Sequence, residues 1–154
     1  MNLSEHFTLK ELTRSQLADR RGIQNVPGER SVESLKVLCS SILEPVRVHF
    51  NTPFSPNSGY RSFELNDLLG SSRKSQHCVG EAADIEVPGV SNVLLAWWIR
   101  SHLDFDQLIL EYYTKGDPVS GWVHVSNKEA SASSSNRREV LTYDGNGYVV
   151  GLPE

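Results

Sequence analysis

Apolar positions early in the chain recur at helical spacing, and those later in the chain alternate with polar ones. Thr8 and Glu11 have the spacing of a capping box, and Gly22 suits a helix stop, which predicts one helix over residues 9–20. After the loop QNVPGE, Ser31 can cap a longer helix. Its stripe would be Leu35, Leu38, Cys39, Ile42 and Val46, with Pro45 expected to kink or end it. The turn-rich NTPFSPNSGYRS predicts a short extended piece ending at Arg61. SFELNDLLG reads as a short helix capped by Ser62 and closed by Gly70, and SSRKSQHCVG as a loop.

AADIEV then alternates as a strand, with Ala83, Ile85 and Val87 on one face and Asp84 and Glu86 on the other. Ser91 caps a helix over NVLLAWWIRSHL. FDQLILEYY predicts a strand with Gln107, Ile109, Glu111 and Tyr113 on one face. In GWVHVS, Trp122, His124 and Ser126 oppose Val123 and Val125. ASASSSNRR reads as a polar loop, and EVLTYDGNGYVV as a hairpin turning at DGNG. Helices precede most strands, and there is neither an internal repeat nor a long linker. The expectation is a single α+β domain over residues 1–154, with helices preceding and flanking a mainly antiparallel sheet.

Composition narrows the function classes. The 154 residues suffice for one buried core, and 38% hydrophobic with 22% charged residues is ordinary for a globular chain. A net charge of −4 argues against a dedicated nucleic-acid binder. No apolar run reaches the roughly 18 residues of a membrane span, so no stable membrane insertion is expected. The N-terminus MNLSEHFTLKELTRSQ lacks the apolar core of a secretory signal. Two cysteines, Cys39 and Cys78, do not make a disulfide framework. Cys39 reads as a small core residue. Cys78, beside His77, reads as a buried thiol, with a thiol hydrolase as the alternative.

The chemistry concentrates in SQHCVGEAADIE and GWVHVS. His77 leads into a strand, Asp84 lies on its polar face, and His124 sits between two valines, where an unpartnered imidazole is costly. Two histidines and a carboxylate are a normal donor set for catalytic zinc, which keeps a fourth position open. Gly80, Ala82 and Ala83 would let the ligands approach one another. Structural histidines in the same places would hydrogen-bond instead.

The strings SGYRS, SQHCVGEAADI, FDQLILEYY and GWVHVS, in this order, resemble the zinc D-Ala-D-Ala carboxypeptidase family of peptidoglycan peptidases, peptidase family M15. That family includes DD-carboxypeptidases, dipeptidases and the L-Ala-D-Glu endopeptidases of phage endolysins, and shares its fold with the hedgehog signalling domain. LSEHFTLKELTRS and LEPVRVHF also look like its compact phage and prophage members, so the resemblance spans about residues 3–126. It implies a hedgehog/DD-peptidase-like domain with Zn2+ held by His77, Asp84 and His124. Arg61 would face the substrate carboxylate or the developing oxyanion, tasks that suit a forked, always-charged group. Ser75 would hydrogen-bond the substrate or merely cap the loop.

Many members carry a Glu three positions before the last zinc histidine, where this chain has Gly121. Glu111 is therefore the candidate general base, with Asp106 and Glu86 as weaker alternatives. Trp122 stands where some members have a second histidine, and would wall the pocket or contact the peptide. His6, His49 and His102 read as structural or surface residues. The resemblance implies a zinc metallopeptidase cutting peptidoglycan stem peptides, as a carboxypeptidase or an endopeptidase. It would be a bacteriophage or prophage cell-wall lysis enzyme, held in the host cytoplasm before release to the wall and periplasm. A monomer suffices. The alternative is a non-catalytic zinc-containing wall-binding or phage structural module of the same fold.

Overall fold

A computed structural model describes residues 1–130 and 135–154. Its helices are α1 (Leu9–Thr13), α2 (Gln16–Arg21), α3 (Glu29–Leu38), α4 (Glu44–Phe50), α5 (Phe63–Leu68) and α6 (Asn92–His102). Its strands are β1 (Ala82–Ile85), β2 (Gln107–Glu111), β3 (Trp122–Ser126), β4 (Glu139–Tyr143) and β5 (Tyr148–Val150). They form one sheet in the order β1-β3-β2-β4-β5. Among the described strands only β2 and β4 pair in parallel. The architecture is the expected α+β fold, and no described helix is long and apolar enough to cross a membrane.

The predicted first helix divides. The Thr8–Glu11 capping box forms, but Arg14 is extended and Ser15 caps a second helix through the Ala18 N–H. Gly22 ends α2 in the left-handed region, as its position suggests. The next helix starts at Glu29 with Gly28 as its cap, so Ser31 lies inside it. Pro45 neither ends nor breaks the run. A π-helical turn over Cys39–Leu43 precedes it, in which the Glu44 N–H donates to the Cys39 carbonyl, and α4 continues to Phe50. One residue looped into the helix absorbs the proline's missing donor and ring bulk.

The apolar stripe survives this shift. Leu35, Leu38, Cys39, Ile42 and Val46 are all fully buried, each large aliphatic side chain contributing about 1.5–3 kcal/mol on burial. They form one core with Leu95 and Ile99 of α6 and with Ala83, Ile85, Leu108, Leu110, Val123 and Val125 of the sheet. The helices thus cover one sheet face, and the other remains for polar side chains. Strand alternation fails at one predicted place. Tyr112 adopts φ 52°, β2 stops at Glu111, and Tyr113 turns to the core rather than joining Glu111.

The predicted extended piece before Arg61 contacts β1 through a single bridge, Ser58 to Asp84. The loop reading of SSRKSQHCVG misses a short 3-10 turn over Gln76–Val79. Residues 131–134 of the predicted polar loop lie outside the described residues, and 135–138 carry no helix or strand. The hairpin forms as expected, with Tyr143 opposite Tyr148.

Candidate metal centre and its cleft

His77 sits on the 3-10 turn leading into β1. Ser75 caps that turn, its hydroxyl oxygen accepting the His77 N–H at 3.2 Å. His77 Nδ1 donates to the Gly59 carbonyl at 2.7 Å, so Nε2 keeps its lone pair for another partner. Gly59 is needed for this approach, because a Cβ there would collide with the Leu12 carbonyl of α1. Asp84 and His124 are direct cross-strand neighbours on β1 and β3. Asp84 Oδ1 lies 3.3 Å from His77 Nε2 and 3.1 Å from His124 Nδ1. The three donor atoms fall within 4.8 Å of one another, and all three residues are buried. Burial pushes the His77 imidazole toward its neutral form, the form that ligates metals. Burial also raises the Asp84 carboxyl, but His77 and His124 outweigh it and hold Asp84 well below the usual carboxylate range.

This donor set fits a tetrahedral metal. It offers two imidazole nitrogens and a carboxylate oxygen, one ring already oriented by a backbone carbonyl, beside an open cleft. The only other group of this spacing among the described residues, Glu5, His6 and Glu44, is largely exposed. Its Glu44 carboxylate already accepts from Ser4 and His6.

Arg61 is more committed than its sequence suggests. Its Nη2 donates to Asp84 Oδ2 at 3.1 Å, Nη1 to Asn66 Oδ1 at 3.0 Å and Nε to Ser58 Oγ at 2.9 Å. Three of five N–H groups are used, which leaves two for the cleft. Gly80 also serves a different purpose from the expected one. It has φ 77°, and a Cβ there would strike the Ser31 carbonyl, so its smallness seats the turn against α3. Cys78 is buried and its thiol is pushed up by that burial, the opposite of what a thiol nucleophile needs. Cys39 is likewise free, and burial pushes it up to about 12.

The cleft above these groups has a volume of about 1000 Å³ and is lined by His77, Asp84, His124, Arg61, Ser75, Glu111 and Trp122. All seven residues singled out in the sequence therefore meet in one place. Glu111 pairs with Trp122 across β2 and β3. Burial raises its carboxyl above the usual range, and its side chain accepts no hydrogen bond among the described residues. The weaker alternatives are engaged elsewhere. Asp106 is closed in by Arg137, Lys128 and Gln76, and Glu86 accepts from Asn57 and Asn92 outside the cleft. His6 pairs with Glu44, and His49 and His102 stack on Trp98, as structural histidines do.

Gly121 has a physical reason to be glycine. It adopts φ 69°, and a Cβ there would overlap the Glu111 carbonyl oxygen. No glutamate can occupy that position on this backbone. The sequence gives no hint of Tyr112, Tyr143 and Tyr148, which also line the cleft. Hairpin register puts Tyr143 beside Tyr148, but nothing local tells which way the pair faces.

No curated protein matches the chain. A family model described as Peptidase M15 matches residues 5–126, from the segment before α1 to the end of β3, and so takes in His77, Asp84, His124, Arg61 and Glu111. The metallopeptidases of that family depend on zinc, and the buried donor set is of the kind zinc takes: the chain belongs to the M15 peptidase family.

Proposed function

We propose that residues 1–154 act as one zinc peptidase domain that hydrolyses peptide bonds in peptidoglycan stem peptides. The observation that carries this reading is the meeting of His77, Asp84 and His124 in a buried cluster lining an open cleft, with the Glu111 carboxylate, which accepts no hydrogen bond among the described residues, in the same cleft. Zinc held by these three would supply Lewis acidity, which activates water and polarises a carbonyl.

The chain's own residues do the rest. The Gly59 carbonyl fixes the His77 tautomer, and Arg61 fixes the second oxygen of Asp84. Glu111 takes the proton of the attacking water and returns it to the leaving amine. Its raised affinity for protons suits that exchange. The remaining Arg61 N–H groups face a substrate carboxylate or the developing oxyanion. The Ser75 hydroxyl, whose oxygen already caps the turn, still has its proton to donate to the peptide. Trp122 walls the site. A phage or prophage lysis role, with the protein held in the host cytoplasm until the membrane is breached, suits a small domain of this kind.

The test is digestion of defined muropeptides by the purified, zinc-quantified protein, with and without chelator, read by mass spectrometry. About one zinc per chain and chelator-sensitive cleavage support the reading, and the bond cut separates carboxypeptidase from endopeptidase. The backbone of Gly121, which excludes the family's usual glutamate, favours a second reading: a zinc-holding wall-binding or phage structural module without hydrolysis. Full zinc occupancy with no muropeptide cut would establish it.

A further inference from the structure

The cleft has an aromatic wall of which the proposed peptidase chemistry uses only Trp122. Trp122 and Tyr112 lie 5.0 Å apart between ring centroids, Tyr112 and Tyr143 5.2 Å, and Tyr143 and Tyr148 4.5 Å. All four line the cleft. Trp122 is two residues from His124 on the same strand face, and Tyr112 directly follows Glu111, so the wall begins at the catalytic groups. Its far half comes from the β4–β5 hairpin, which lies beyond the family match at residue 126.

Two features mark the wall as built for a ligand rather than for packing. Tyr112 and Tyr148 remain 50% and 59% exposed, so these rings do not serve the core. Tyr112 also holds φ 52°, a left-handed conformation that costs a non-glycine residue about 1–2 kcal/mol. With that distortion Tyr112 rather than Tyr113 lines the cleft beside Glu111. Regular alternation would have placed Tyr113 there, and Tyr113 instead packs into the core with its N–H on the Tyr143 carbonyl at 2.9 Å. The turn of the hairpin lies close to the Tyr112 ring, since a Cβ at Gly145 would come to ordinary contact with Tyr112 at 3.6 Å.

Tyr112 and Tyr143 meet edge to face at 84° and Tyr143 stacks on Tyr148 at 28°, so the rings left for a ligand are the half-exposed Tyr112 and Tyr148, in a cleft that also carries Gln16, Asn57 and Ser71. An alanine methyl covers a fraction of one ring. A hexopyranose has one flat C–H face for an aromatic ring and hydroxyl or amide groups at its rim for polar partners. We infer that the Trp122–Tyr112–Tyr143–Tyr148 wall is a saccharide subsite that seats an N-acetylated sugar ring of the glycan strand next to the peptide being cut. This rests on the peptidoglycan reading for its choice of sugar.

The test uses the zinc-loaded full chain and, as probe, the peptide-free disaccharide of N-acetylglucosamine and N-acetylmuramic acid. Aromatic NMR resonances of Tyr112, Tyr148 and Trp122 should shift saturably, with a dissociation constant on the order of 1 mM. Tyr148→Ala, checked for folding by thermal unfolding, should weaken this binding about three- to tenfold, the effect of losing one aromatic contact. Tyr148→Phe should retain it. The same Tyr148→Ala change should lower the kcat/KM ratio of disaccharide-linked over free stem peptide by a similar factor, mainly through KM. Absence of saturable shifts at these rings overturns the subsite. If peptides are cut while the disaccharide causes no shift, this inference alone fails. If no peptide is cut, the peptidase reading fails and the titration still decides whether the wall takes a saccharide.

Discussion

Two buried aspartates give the sharpest contrast in the molecule. Asp84 and Asp106 are 8% and 1% exposed, and in both burial raises the carboxyl while stronger partners pull it down, Asp106 to about 2. Asp106 is closed in by permanent cations, with Arg137 at 2.9 Å and Lys128 at 3.3 Å, and by the Gln76 amide and the Arg137 N–H. Asp84 has one permanent cation, Arg61, on Oδ2, and two histidines on Oδ1. Histidines can give up a proton and present a lone pair, and Arg137 and Lys128 cannot. Asp84 also opens on a cleft. Burial and a depressed carboxyl therefore do not single out a candidate metal centre, since both aspartates have them. Partners that can deprotonate, and access from solvent, set Asp84 apart.

The most severe way to break this contrast is Asp84→Asn. On the proposed reading it removes the central ligand, so zinc should fall well below one per chain and muropeptide hydrolysis by at least about 10³-fold, measured by elemental analysis and product formation. Asp106→Asn should leave zinc stoichiometry unchanged. If both variants lose zinc equally, the distinction between the two aspartates is wrong.

Glu111→Gln comes next. It keeps the shape of the side chain and lies outside the donor set, so zinc should stay bound while kcat falls about 10²–10⁴-fold. Loss of zinc together with activity would mean that Glu111 serves the metal rather than the proton.

Gly121→Ala sharpens the question of the base. Its Cβ would overlap the Glu111 carbonyl, so β2 and β3 must separate, at an expected loss of about 2–4 kcal/mol in urea denaturation. A stable, fully active Gly121→Ala would show that a side chain fits there after all, and would reopen position 121 as a site for the family's glutamate.

The smallest effect is the pH dependence of Asp106. Its folded-state pKa of about 2 lies below the ordinary carboxylate value, so its pairing stabilises the fold fully above about pH 4 and that contribution disappears as pH falls through about 2. The contribution is about 2 kcal/mol. Urea midpoints between pH 5 and 2 should fall more steeply in the wild type than in Asp106→Asn, and parallel curves would remove Asp106 as the cause.

Much of this protein could be read without coordinates, for a physical reason. Caps, apolar stripes and strand alternation are local, so α3, α5, α6 and the five strands follow from the spacing of neighbouring residues. The donor set could be read because His77 and Asp84 lie within one short segment, and because His124 on a strand between two valines is a costly placement without a partner. Other features arise where segments distant in sequence meet. The break at Arg14, the π turn before Pro45 and the turn of Tyr113 into the core depend on what each backbone packs against. The same holds for the three acceptors that occupy Arg61, for the carbonyl that makes Gly121 obligatory, and for the hairpin that brings Tyr143 and Tyr148 to the cleft. The sequence by itself determined which side chains could bind a metal and which faces they occupy, because periodicity sets faces. Only the tertiary structure decided which of those side chains remain free for chemistry, because a side chain's freedom depends on partners that chain order does not place beside it.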